Sequence, residues 1–144
     1  MADTVTTKWL MPPNWDGGFD NDRGPRKWVV RFTSISDGTG ESAVRKVNIS
    51  DLFLPDGGIP VRSIIDKIEY DAFGFTSIRL YWDRAPAENI VVLAGNNAHC
   101  FDFTKIGGNV DPGALGDATG DIMLTSNGAT SGDSYTVTIH FRLK

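Results

Sequence analysis

Ser134-Tyr135-Thr136-Val137-Thr138-Ile139-His140-Phe141-Arg142-Leu143-Lys144 alternates without a slip. Tyr135, Val137, Ile139, Phe141 and Leu143 share one face; Thr136, Thr138, His140, Arg142 and Lys144 share the other. A period of two is the repeat of a strand with a dry side and a wet side, and a 3.6 repeat would scatter the five apolar residues round an axis. Burying side chains of this kind contributes roughly 1.5–3 kcal/mol each, enough for one strand to anchor a sheet. Upstream, Ile122-Met123-Leu124-Thr125 is a shorter apolar run. The turn-forming residues 126–133 separate the two runs. That arrangement predicts a β-hairpin with a long connection. A strand of this kind at the end of the chain is expected to tie that end into the core, leaving no C-terminal tail.

Working outward, Lys27 to Ile35 alternates with Trp28, Val30 and Phe32 on one side, and Ala43 to Ile49 follows the turn at Asp37-Gly38-Thr39-Gly40-Glu41. The run Val61 to Asp71 has two readings. Val61, Ile64, Ile65 and Ile68 fit a helical face, whereas Ile64, Ile68 and Tyr70 fit a strand. The abundance of β-branched residues favours the strand. Ser77 to Asp83 alternates after a short turn at Ala72-Phe73-Gly74-Phe75, which predicts a second hairpin. Asn89 to Ala94 and Ala98 to Thr104 complete the set, and residues 105–120 are turn chemistry throughout. Eight or nine short strands and no convincing helix predict an all-β antiparallel β-sandwich, with a jelly roll as one arrangement of it, over a single domain at 27–144.

Residues 1–26 differ. Trp9, Leu10, Met11, Trp15 and Phe19 are interrupted by Pro12, Pro13 and Gly17-Gly18, which break helix and central strand alike. The segment is expected to be an extended, irregular arm. Its aromatics imply an apolar support, since disordered tails are poor in them. Two supports remain open: the arm's own domain, or a neighbouring subunit, which about 26 residues at ~3.3 Å each can reach. Trp9, Leu10, Met11, Pro12, Pro13, Trp15 and Phe19 are the candidate contact residues, because large apolar and aromatic side chains anchor interfaces. Arg23, Arg26, Lys27 and Arg31 form a local basic cluster, read either as a solvated strand edge or as a contact with an acidic protein neighbour.

The chain has 144 residues, 40% of them hydrophobic and 22% charged, with net charge −4 spread as −1 over residues 1–70 and −3 over 71–144. Neither half is a basic patch, which argues against a nucleic-acid partner. No apolar run approaches the ~20 residues of a membrane helix, and no signal peptide is visible. The single cysteine, Cys100, offers no internal disulfide.

Catalytic signatures are missing: there is no nucleophile elbow, phosphate loop or dinucleotide fingerprint. His99 and Cys100 are neighbours and should point to opposite faces of a strand, against a shared metal. Asp111, Asp117 and Asp121, like Asp16, Asp20 and Asp22, have no calcium-loop spacing. Asp66, Glu69 and Asp83 have nothing beyond their presence to make them a glycosidase pair. Trp9, Trp15, Tyr81 and Trp82 could stack on sugars only if exposed. The expectation is a protein with no enzymatic role, no cofactor and no metal.

Several stretches, however, resemble a known group: Ile65-Asp66-Lys67-Ile68-Glu69-Tyr70, Leu80-Tyr81-Trp82-Asp83, Phe101-Asp102-Phe103, Gly120-Asp121-Ile122-Met123-Leu124-Thr125 and Ser131-Gly132-Asp133-Ser134-Tyr135-Thr136-Val137-Thr138. In texture and order they are similar to small virion proteins of tailed bacteriophages, above all capsid decoration (cement) proteins. The likeness runs from Ile64 to Lys144 and leaves out residues 1–26. It implies a structural protein, made in the host cytoplasm, that binds the outer surface of the major capsid protein lattice and stabilises the head. It also implies a homo-oligomer, with a trimer favoured by analogy. The alternative is a tail- or fibre-associated adhesion or carbohydrate-binding β-sandwich.

Overall fold

The structure, a computed structural model, describes residues 3–11, 27–52, 54, 58–84, 86–110 and 119–144. Among these residues, ten strands make two antiparallel sheets. In chain order they are β1 (Thr4–Met11), β2 (Trp28–Ile35), β3 (Val44–Val47), β4 (Ser63–Phe73), β5 (Ser77–Trp82), β6 (Glu88–Ala94), β7 (Asn97–Asp102), β8 (Asn109–Val110), β9 (Ile122–Asn127) and β10 (Ser134–Leu143). Two single 3₁₀ turns, Ile49–Asp51 and Thr104–Ile106, are the helical elements among the described residues. The larger sheet runs β1-β2-β10-β4-β7, with β8 also paired to β4; the smaller runs β3-β9-β5-β6.

The pairs nest. β5 pairs with β6, β4 with β7, β3 with β9 and β2 with β10, as though one long hairpin had been rolled up. That nesting is the jelly-roll order. It overturns both expected hairpins. β9 and β10 are consecutive, yet β9 lies between β3 and β5 while β10 lies between β2 and β4 in the opposite sheet. β4 and β5 likewise part company across the sandwich. Each link is an arch between sheets, because strands with one apolar face can bury it as well against an opposing sheet as beside a sequence neighbour.

Alternation does choose the buried side. Tyr135, Val137, Ile139 and Phe141 of β10 meet Trp28, Val30 and Phe32 of β2 and Ile78, Leu80 and Trp82 of β5 in one core. The expected turn at Ala72-Phe73 is strand, with β4 continuing to Phe73; the chain reverses at Gly74, whose φ is +89°. A side chain there would also collide with Asp133. Gly95 is tighter still, since a Cβ would fall 1.3 Å from the Phe75 carbonyl oxygen.

The helical spacing within 61–71 has a physical cause. The register of β10 against β4 slips between His140, which faces Lys67, and Phe141, which faces Ile65. Asp66 is the extra residue of a β-bulge, so Ile65 and Ile68 both turn inward three positions apart. Lys46 of β3 and Leu10 of β1 lie at similar slips.

Candidate functional site

The outer face of the larger sheet spans five strands among the described residues, and the strand registers order it into rows. Lys8, Arg31, Thr138, Glu69 and Cys100 lie side by side across β1, β2, β10, β4 and β7. One step along, Thr6, Thr33, Thr136, Asp71 and Ala98 form the next row. One step further, Ile35, Ser134 and Phe73 form another, and Ile35 and Phe73 are 62% and 66% exposed. A shallow hollow of about 460 Å³ lies over the centre and the β4–β7 side, walled by Arg31, Glu69 and Asp71 and lined by Thr136, Thr138 and Cys100.

Charge divides this face. Lys8 and Arg31 stand on the β1–β2 side; Glu69, Asp71 and Asp102 stand on the β4–β7 side with Lys67 among them. Arg31 Nε donates to Thr138 Oγ1 at 3.4 Å and makes no ion pair among the described residues. Glu69 Oε1 lies 3.3 Å from Lys67 Nζ and 3.2 Å from His140 Nε2. The hydrogen bond from Lys67 is the main cause holding the Glu69 carboxyl below the usual carboxylate range, and the same bond raises Lys67. Asp102 is also held low, by the hydroxyl and N–H of Thr104. All three therefore keep their charges at neutral pH.

The arm residues divide differently. Residues 4–11 are not irregular: they form β1, an edge strand paired with β2. Trp9 turns inward, 5.4 Å edge-on from Trp28 and 6.3 Å from Phe141, so it packs on its own domain. Leu10 is half-buried at the slip, and Met11 is exposed. Lys27 is exposed. Pro12, Pro13, Trp15, Phe19, Arg23 and Arg26 lie outside the described residues.

Several other charged groups pair with one another. The side chain of Lys46, at the β3 slip, is 4% exposed, pairs with Glu41 and lies 5.6 Å from the Phe32 ring. The Tyr135 hydroxyl donates to the same Glu41 carboxylate. Arg45 joins Asp83 at 2.9 Å and also Asp121. Asp66 takes two hydrogen bonds from Arg142 Nε, each 3.0 Å. The suggested trio Asp66, Glu69 and Asp83 is thus split among three separate networks. His99 faces Tyr70 and Cys100 faces Glu69, on opposite sides of β7. Among the described residues no three His, Cys, Asp or Glu side chains converge as metal ligands. Trp82 is 1% exposed and belongs to the core, while Tyr81 carries Arg79 over its ring at 4.2 Å.

Sequence reasoning placed Thr136 and Thr138 on a wet face, but it did not assemble the row from Arg31 to Cys100. The signal was partial: alternation tells which residues share a side of one strand, and nothing local tells which strands flank it.

Comparison with protein-family profiles and with curated proteins yields no match. Among solved structures, the FeII form of HppE superposes with a TM-score of 0.35 at 9% identity, over 81% of this chain and 43% of that one. A mutant of a family 29 carbohydrate-binding module superposes with a TM-score of 0.31 at 6% identity, over 98% of this chain and 91% of that one. At such scores neither likeness bears on function.

Proposed function

We propose that the protein is architectural: a decoration protein that binds the outer surface of the major capsid protein lattice of a tailed bacteriophage and stiffens the head. The observation that carries this reading is the open larger sheet. It offers a broad outer face with charges and exposed apolar side chains, and an edge strand, β1, that pairs only with β2 among the described residues. Such a surface suits protein contact. Strand edges accept added strands, and exposed apolar groups next to polar ones are features of interfaces. Met11, at the end of β1, leads into the aromatic-rich stretch containing Trp15 and Phe19.

The test is co-sedimentation of the full chain with empty phage heads. Deleting residues 2–19 would remove β1 and uncover Trp28, so a milder variant is required. Changing Met11, Trp15 and Phe19 together to Ser should leave the circular dichroism unchanged and abolish binding. Full binding by that variant would reject the arm as the grip. The alternative, a tail- or fibre-associated carbohydrate-binding domain, needs an accessible ring; Trp82 is buried in the core, so a glycan screen of the wild type against a Trp15 variant is its test.

A further inference from the structure

We propose that the outer face of the larger sheet is a self-association surface, on which a second copy of this chain packs face to face about a two-fold axis running along β10. The proposal does not rest on the virion reading, since it concerns the free protein.

The argument is one of register. β10 is the middle strand of the five, and β2 and β4 flank it residue for residue. Ser134 faces Ile35 on one side and Phe73 on the other; Thr136 faces Thr33 and Asp71; Thr138 faces Arg31 and Glu69. A two-fold axis along β10 exchanges the two flanks and leaves every row in place. Arg31 of one copy then lies over Glu69 of the second, Ile35 over Phe73, and Thr33 over Asp71. Thr136 meets its own counterpart at the axis, while Thr138 lies buried beneath Arg31. Each contact off the axis occurs twice, as an isologous interface requires.

Charge and shape agree with that operator. Lys8 is exposed on the β1–β2 side, Arg31 lies across the face on Thr138, and the hollow runs from Arg31 to its Glu69 and Asp71 walls toward β4 and β7. The rotation carries two long basic side chains to an acidic depression, the pattern of complementarity that fixes register in interfaces. It also covers Ile35 and Phe73, which otherwise stand in water at 62% and 66% exposure. The other two-fold lying in the face, across the strands, would lay each strand over its own copy and keep Arg31 of β2 away from Glu69 of β4 at any height, so the surface discriminates between the two. Packed sheets twist by about 30° relative to one another, which displaces the outer rows most and the Arg31–Thr138–Glu69 row least.

Equilibrium sedimentation of the full chain across a concentration series tests this. The wild-type protein should pass from monomer to dimer. Arg31→Glu and Glu69→Arg should each raise the dissociation constant by at least about tenfold, because each puts like charges together twice. An equimolar mixture of the two variants should dimerise again. In the mixed dimer the introduced glutamate lies over the introduced arginine, and the native Arg31 of one chain lies over the native Glu69 of the other. Phe73→Ser, which leaves the charges alone, should weaken the wild-type dimer. Circular dichroism confirms that each variant is folded. A wild-type chain that stays monomeric at millimolar concentration overturns the proposal. So does a dimer indifferent to both charge reversals, or a mixture that fails to recover.

Discussion

Lys46, Glu41 and Tyr135 show what single residues contribute here. A lysine and a glutamate are withdrawn from water together, and the tyrosine hydroxyl supplies a further donor to the carboxylate. Removing one partner leaves an uncompensated charge, so Lys46→Ala should cost about 3–5 kcal/mol in urea unfolding. Tyr135 adds a pH dependence with a definite sign. Burial, and then the hydrogen bond and charge of Glu41, push its phenol far above the ordinary value near 10. The folded state therefore holds a proton that the unfolded chain releases above about pH 10. The stability from this group is complete below that pH and falls as pH rises past it. Urea midpoints should drop between pH 9 and pH 11, and the drop should be smaller in Tyr135→Phe. Gly95→Ala should cost about 3 kcal/mol or more, because its Cβ would meet the Phe75 carbonyl, which is backbone and cannot swing aside.

At the scale of the element, β4 and β1 carry the informative predictions. β4 holds its register on both sides of the Asp66 bulge, and Arg142 keeps the bulged side chain occupied. Deleting Asp66 removes the slip and leaves Ile65, Lys67 and Ile68 in regular in–out–in alternation, with Ile65 still opposite Phe141 and Lys67 still opposite His140. The shortened strand should therefore still unfold cooperatively in urea, losing only the local bend and the ion pair with Arg142. Asp66→Asn keeps the bulge but takes a buried carboxylate away from Arg142, so it should cost about 1.5–3 kcal/mol. β1 is held chiefly by β2 and by Trp9 on Trp28 and Phe141. Trp9→Ala should therefore release β1 first: its amides should exchange rapidly while those of β10, paired on both sides, stay protected.

The whole molecule is a roll whose outermost pair joins β2 to β10, from opposite ends of the described body. Pairings so distant in sequence make folding slow, and refolding is expected in the millisecond-to-second range by stopped-flow fluorescence. The nested order also explains why β9–β10 and β4–β5 do not form the hairpins that their spacing suggests. Each strand satisfies its apolar face in the common core whichever neighbour it takes. The same roll brings Arg31, Thr138 and Glu69, distant in sequence, into one row.

The period of two in β10, β2 and β5, with glycine-rich breaks between, was sufficient to establish an all-β chain and to divide buried from exposed residues. Those properties depend on side chains a few positions apart, which local sterics and hydrophobicity control. Strand partners, the bulge at Asp66, the inward turn of Trp9 and the rows on the outer face depend on pairings between residues far apart in the chain. They were settled only when the two sheets closed over a shared core, because backbone hydrogen bonding is alike for every strand and only global packing selects among the possible neighbours.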